Sequence, residues 1–314
     1  MTGVGTPLLW IGFTLFVLGM LGLDLIVFNR KTHKVKMRES LAWCAVWIGL
    51  AMAFNLGVWH FFGAQRALEF LTGYLIEEAL SVDNLFVFLV IFSFFKVTAA
   101  HQHRVLFWGI LGAIVLRAVF IFAGVALLDT FHWLIFVFGG FLIFTGIKIL
   151  IKKEEEVHPD KNFAVKLLRR LLPMTDGYRE HHFFVHEGGR RLATPLLLVL
   201  VTVEATDLVF AVDSIPAVLA VTKDPFIVYT SNIFAVLGLR ALFFVLSGAL
   251  NSMRYLKYGL GLVLVFVGFK MVVADGIPHF HIPPIHIPVH ISLAVVAGLL
   301  GTAVAASLLK PASP

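Results

Sequence analysis

The chain of 314 residues is 59% hydrophobic and only 14% charged, with a mean hydropathy of +0.92. A soluble domain carries about 25% charged residues, so the composition excludes an ordinary globular protein and predicts an all-α, polytopic membrane protein. The net charge of +6 is no nucleic-acid signal, because most basic residues fall between apolar runs, and the single Cys44 excludes an internal disulfide, a CxxC redox pair and a thiolate metal cluster.

About 20 apolar residues cross a bilayer as a helix. Runs of that kind occur at 8–28, 41–62, 70–95, 105–127, 132–150, 195–221, 228–250, 256–274 and 290–309, and predict nine transmembrane helices. The first run lacks a basic n-region and other spans follow it, so it reads as a span and not as a cleavable signal. Asp24, near its end, fits an interfacial snorkelling role as well as a site role. The next connection, 29–40, carries Arg30, Lys31, Lys34, Lys36 and Arg38. Basic residues then fall on alternate connections: 20 lie on one side, against Arg66, Lys223 and Lys270 on the other. The positive-inside bias places the N-terminus outside and the C-terminus in the cytoplasm, in the inner (plasma) membrane.

The connection 152–194 is the largest polar piece. Within it, Phe163 to Leu172 mixes apolar and basic residues at helical spacing, which fits an amphipathic helix on the cytoplasmic leaflet or a plain linker helix. The outer segment 275–290 sets His279, His281, His286 and His290 among four prolines. Such proline density forbids a regular helix. The segment reads as an extended surface loop, or as a weak external metal-collecting site, since imidazole is a common ligand.

Two acidic stretches inside apolar runs match one another. Glu77-Glu78-Ala79-Leu80-Ser81-Val82-Asp83-Asn84 aligns with Asp207-Leu208-Val209-Phe210-Ala211-Val212-Asp213-Ser214. Two further pairs follow in the same order: Leu116-Arg117-Ala118-Val119-Phe120 with Leu239-Arg240-Ala241-Leu242-Phe243, and Phe144-Thr145-Gly146-Ile147-Lys148 with Phe266-Val267-Gly268-Phe269-Lys270. The repeated units are three spans apart and so run in opposite directions. That predicts an inverted 3+3 repeat with equivalent residues facing one another near the bilayer midplane. The chain divides accordingly into two N-terminal helices (1–69), a first repeat (70–151), a cytoplasmic loop (152–194), a second, inverted repeat (195–275), and a His/Pro outer loop with the last helix (276–314).

Acids in the membrane are costly and mark functional sites by default. Glu77, Asp83, Asn84, Glu204, Asp207, Asp213 and Ser214 are the candidate metal ligands, with Glu78 and Ser81 as supporting groups. These are oxygen donors, which suit Mg²⁺, Ca²⁺ or Mn²⁺ and disfavour copper. Several carboxylates in hydrocarbon need cations or protons to neutralise them, so a proton counter-ion is implied. Six residues turn a straight helix through about 240°, which would set Asp207 and Asp213 on different faces. Pro216 cannot donate to the Val212 carbonyl; a break at 212–216 would free that carbonyl as a further ligand. Arg117 and Arg240 lie mid-span as charge-balancing groups, pairing with some of these acids for structure or at the site. Asn55, Ser231 and Asn232 read as polar ties between helices.

The runs EEALSVDNLFVF (Glu77–Phe88), EATDLVFAVDSIPA (Glu204–Ala217) and SNIFAVLGLRALFF (Ser231–Phe244), with Ala193-Thr194-Pro195-Leu196, resemble the TerC family of integral membrane proteins over residues 70–275. The resemblance implies manganese export from the cytoplasm, as in several members, with a historical link to tellurite resistance. It carries the family's acidic motif onto Glu77, Asp83, Asn84, Asp207, Asp213 and Ser214. Three functional classes follow: a Mn²⁺ exporter working by alternating access and not an enzyme; a membrane redox modulator; and a non-transporting scaffold. An oxidoreductase needs an electron carrier, and the sequence shows neither a dithiol nor a nucleotide fingerprint.

Overall fold

The computed structural model describes residues 3–29, 37–131, 133–151, 170, 172–179, 182–187, 189–249, 255–274 and 287–309. These hold nine helices: α1 (Pro7–Asn29), α2 (Met37–Phe62), α3 (Ala64–Phe94), α4 (Ala99–Thr130), α5 (Leu134–Ile151), α6 (Pro195–Leu219), α7 (Pro225–Ala249), α8 (Leu256–Ala274) and α9 (Val289–Leu309). Each apolar run of the sequence lies in one of them, with ends shifted by a few residues. Among the described residues, six helices (α2, α4, α5, α6, α7 and α9) are long and apolar enough to cross a membrane. Helix α3 falls outside that group because Glu77, Glu78 and Asp83 sit in its middle.

Local chemistry sets the helix ends. Gly63, at φ 87°, alone separates α2 from α3; only glycine takes that turn without strain. Helix α6 starts on Thr194-Pro195, and α7 on Asp224-Pro225, with proline in the first turn, where no amide donor is needed. The Asp224 carboxylate caps α7, accepting from the Phe226 amide at 3.0 Å and the Ile227 amide at 3.4 Å.

The expected break at 212–216 is not present. Helix α6 continues through Pro216, and α3 continues through Asp83. Ile215, Ala217, Val218 and Leu219 are buried against neighbouring helices. That packing holds the turn although Pro216 removes one of its hydrogen bonds, as neighbours do for prolines in membrane helices.

Helices α3 and α6 run antiparallel. Thr222 Oγ1 donates to Glu69 Oε2 at 2.7 Å. A methyl added at Gly73 would meet Val218 Cγ1 at 3.1 Å, and Glu77 lies beside Ser214. Helices α5 and α8 also run antiparallel and make the closest helix contact. A methyl on Gly139 would meet the Gly268 carbonyl at 2.9 Å, and one on Gly146 the Gly261 carbonyl at 2.6 Å. Small residues let membrane helices approach this closely. Helix α3 packs along α7 as α6 packs along α4, and α4 also packs on α7. Exchanging α3 with α6, α4 with α7 and α5 with α8 leaves this pattern unchanged.

The connection before α6 holds structure that the sequence did not suggest. Phe184–Glu187 (β1) pairs antiparallel with Arg190–Ala193 (β2), and Gly189 turns between them at φ 75°. The hairpin region docks on the α3–α4 end: Tyr178 donates to the Phe95 carbonyl at 2.7 Å, and Arg104 lies over the Phe183 ring. Burial pushes the Tyr178 hydroxyl above its usual range and keeps it a donor. The suggested helix at 163–172 lies almost wholly outside the described residues, as do His279, His281 and His286.

Candidate functional site

Charge in the bundle interior gathers on Arg117 of α4. It is the largest fully buried side chain among the described residues. Its guanidinium bonds the carboxylates of both acidic stretches: Nη1 donates to Glu77 of α3, and Nη2 to Asp207 Oδ1 of α6 at 3.2 Å. Nη1 also donates to Asn232 Oδ1 of α7 at 3.1 Å, and Asn232 Nδ2 donates to Glu77 Oε2 at 2.8 Å. Four helices are thus tied at one point, where Glu77 and Arg117 are 0% and Asp207 4% exposed. The sequence set Glu77 on Asp207 by alignment, and the fold brings them to one cation.

Around this core lie buried polar atoms with no hydrogen-bond partner in the protein: Glu78 Oε2, Ser81 Oγ and Asn84 Nδ2 on α3, and Glu204 Oε2 and Asp207 Oδ2 on α6. Ser214 sits beside Glu77 without closing a well-formed hydrogen bond. Native proteins leave few such atoms, and each calls for an ion, a water or a function. A cavity of about 20 Å³ opens beside Glu204 and Asp207, its remaining wall apolar and including Gly109, Ala113, Val203 and Leu239. That is room for one water-sized occupant. Glu204 reaches over Gly112, where any larger side chain would overlap its carboxylate.

Not every expected residue joins the cluster. The side chains of Asp83, Asp213 and Asp24 lie outside the described part of the structure. The helix is continuous at Val212, so the expected unwinding at 212–216 does not occur, although Pro216 still leaves the Val212 carbonyl without its helical donor. Arg240, the counterpart of Arg117, is buried in α7. His290 is exposed at the start of α9. Among the described residues, no three His, Cys, Asp or Glu side chains form a metal-holding group. Arg117 stands between the two acids that would otherwise be its centre.

Two features go beyond what the apolar runs show. Asn232 ties helices together, as its mid-span place suggests, and it orients Glu77 and Arg117 as well. At the far end of α3, Glu69 accepts from Arg66 and Thr222, each at 2.7 Å. Asp224 accepts from the Val4 amide at 2.8 Å. The Asp224-Pro225 pair was the visible signal for that cluster, as a helix start.

The chain matches the sequence pattern described as the integral membrane protein TerC family over residues 62–313. It is 56% identical over 307 residues to the membrane protein STKORF319 of Myxococcus xanthus, covering 98% of this chain and 94% of that one. It is 50% identical to a Salmonella typhi protein and 48% identical to an Escherichia coli K12 protein, each named "Putative membrane-bound redox modulator Alx", in both cases over 96% of this chain and 94% of the relative. No solved structure matches it.

Proposed function

The chain belongs to the TerC family of integral membrane proteins, and from that premise we propose that it exports divalent metal cations, Mn²⁺ foremost, through a carboxylate site shared by α3 and α6. One observation carries the reading. Acids from two matching stretches on antiparallel helices meet at one buried cation, among buried oxygens that have no partner. The proposed ligands are Glu77, Asp83, Asn84, Glu204, Asp207, Asp213 and Ser214, with Glu78 and Ser81 in support and Arg117 and Arg240 balancing charge. All are oxygen or amide donors, which suit Mn²⁺, Mg²⁺ and Ca²⁺ alike; the preference for Mn²⁺ comes from the family resemblance.

In this reading all nine helices span the inner membrane, with the N-terminus outside and the C-terminus in the cytoplasm. Residues 70–151 and 195–275 form an inverted 3+3 repeat around a site near the midplane. The antiparallel α3–α6 and α5–α8 pairs, and the packing pattern that survives exchange of the two halves, support this. Alternating access follows as a rocking of one half against the other. Cytoplasmic Mn²⁺ displaces protons from the acids, and external protons drive its release. The protein is then a carrier and not an enzyme.

The test is a metal panel on purified protein together with Mn²⁺ tolerance in cells lacking it. The wild type binds Mn²⁺ and restores tolerance, while Asp83→Ala and Asp213→Ala do neither. Wild-type tolerance conferred by both variants contradicts the reading. The name of the Alx relatives favours a second reading, a redox modulator. Absorbance of the purified protein between roughly 400 and 600 nm reports a haem or flavin carrier, and such a band would favour that reading.

A further inference from the structure

An exporter that cycles must return without its metal, and any carboxylate that returns unprotonated inside a membrane makes that return costly. The structure holds an answer in Arg117. We propose that Arg117 is a tethered counter-ion: its guanidinium occupies the seat between Glu77 and Asp207 when no metal is bound, and so lets the unloaded carrier change conformation. This rests on the exporter reading above.

The bonding pattern fits displacement better than permanent clamping. Glu77 divides its oxygens, Oε1 to Arg117 and Oε2 to Asn232 Nδ2. Asn232 therefore continues to orient Glu77 when the guanidinium leaves. Asp207 gives Arg117 only Oδ1, while Oδ2 has no hydrogen-bond partner and the residue lines the small cavity with Glu204. Oδ2 has no bond to give up, so a divalent cation can bond it while Arg117 still holds Oδ1. The Arg117 Nε also has no hydrogen-bond partner in the protein, so two donor groups, both on the guanidinium tip, hold it. A single positive charge set against two acids is outcompeted by a divalent ion, yet it is enough to keep the empty site from holding two unscreened charges. In contrast, a purely structural arginine would be needed equally for every mode of transport.

Proteoliposomes separate these cases. Net Mn²⁺ efflux needs the empty return, whereas exchange of radiolabelled Mn²⁺ against internal Mn²⁺ does not. At equal pH on both sides, Arg117→Gln is expected to slow net efflux about tenfold or more, the scale of an uncompensated buried charge. Exchange should stay within about twofold of the wild type, since it includes no return of the site without metal. Arg117→Lys keeps a charge without the two-pronged reach and should lose part of the net efflux with exchange retained; it serves alone if Arg117→Gln does not fold. Net efflux as fast as the wild type in Arg117→Gln overturns the proposal. So does a parallel fall of exchange and net efflux in either folded variant. A wild type that shows neither net efflux nor exchange defeats the exporter reading itself, a result distinct from both.

Discussion

Replacing Arg117 by methionine removes the charge and keeps much of the volume. Glu77 then retains only Asn232, and Asp207 loses the guanidinium that bonds its Oδ1. Breaking a buried ion pair by deleting one partner costs about 3–5 kcal/mol, because the remaining charge stays buried. At the usual conversion for larger domains, that lowers an apparent Tm by roughly 6–20 °C. Glu77→Gln alone leaves Arg117 matched by Asp207 and forfeits one charge-assisted bond, about 1.5–3 kcal/mol. The decisive variant removes all three charges: Glu77→Gln, Asp207→Asn and Arg117→Met together. It should melt above Arg117→Met, although it carries more substitutions, because no buried charge is left unmatched. The assay is thermal unfolding in detergent, followed through the six tryptophans. An Arg117→Met protein that melts within about 1 °C of the wild type, or a triple variant no better than the single one, refutes this reasoning.

Further variants probe other parts of the bundle. A methyl at Gly139 would meet Val272 Cγ2 at 2.6 Å and the Gly268 carbonyl at 2.9 Å; Gly139→Ala should destabilise by about 1–3 kcal/mol in the same melts. Asp224→Ala removes the cap of α7 and the acceptor of the Val4 amide. A loss of about 1–2 kcal/mol is expected, with faster amide exchange at Val4. Pro216→Ala supplies the donor that the Val212 carbonyl lacks in α6. Since α6 is already continuous, the substitution should leave Mn²⁺ affinity unchanged in a binding titration; a sharp loss would restore Val212 as a ligand.

The helices and the matching acidic stretches were legible because both are patterns of composition. Apolar runs of bilayer length mark helices whatever their packing, and matching acids stand out where charge is rare. The spacing of six residues was misleading. It suggested that Asp207 and Asp213 needed a broken helix to work together, with Pro216 as the break. The fold instead uses a partner outside both stretches: Arg117, on α4, reaches across to Asp207 on α6. The sequence shows a mid-span arginine and predicts that it needs acids. Which acids it takes depends on the antiparallel register of α3 and α6, set by contacts such as Glu69 with Thr222 and Gly73 with Val218. The β1–β2 hairpin was hidden for a different reason. Four-residue strands in a charged connection carry no periodicity long enough to read, and the Gly188-Gly189 pair in the sequence is the local sign of the turn.

The most direct test of a carboxylate-based metal exporter is Mn²⁺ release from proteoliposomes loaded with the ion, comparing the wild type with Asp207→Asn and with protein-free vesicles. Asp207 belongs to the second acidic stretch, bonds Arg117 and lines the cavity, so it joins every part of the proposed site. The account predicts rapid release by the wild type and release at the protein-free rate by Asp207→Asn. Equal release by the wild type and Asp207→Asn, or none by the wild type, contradicts it.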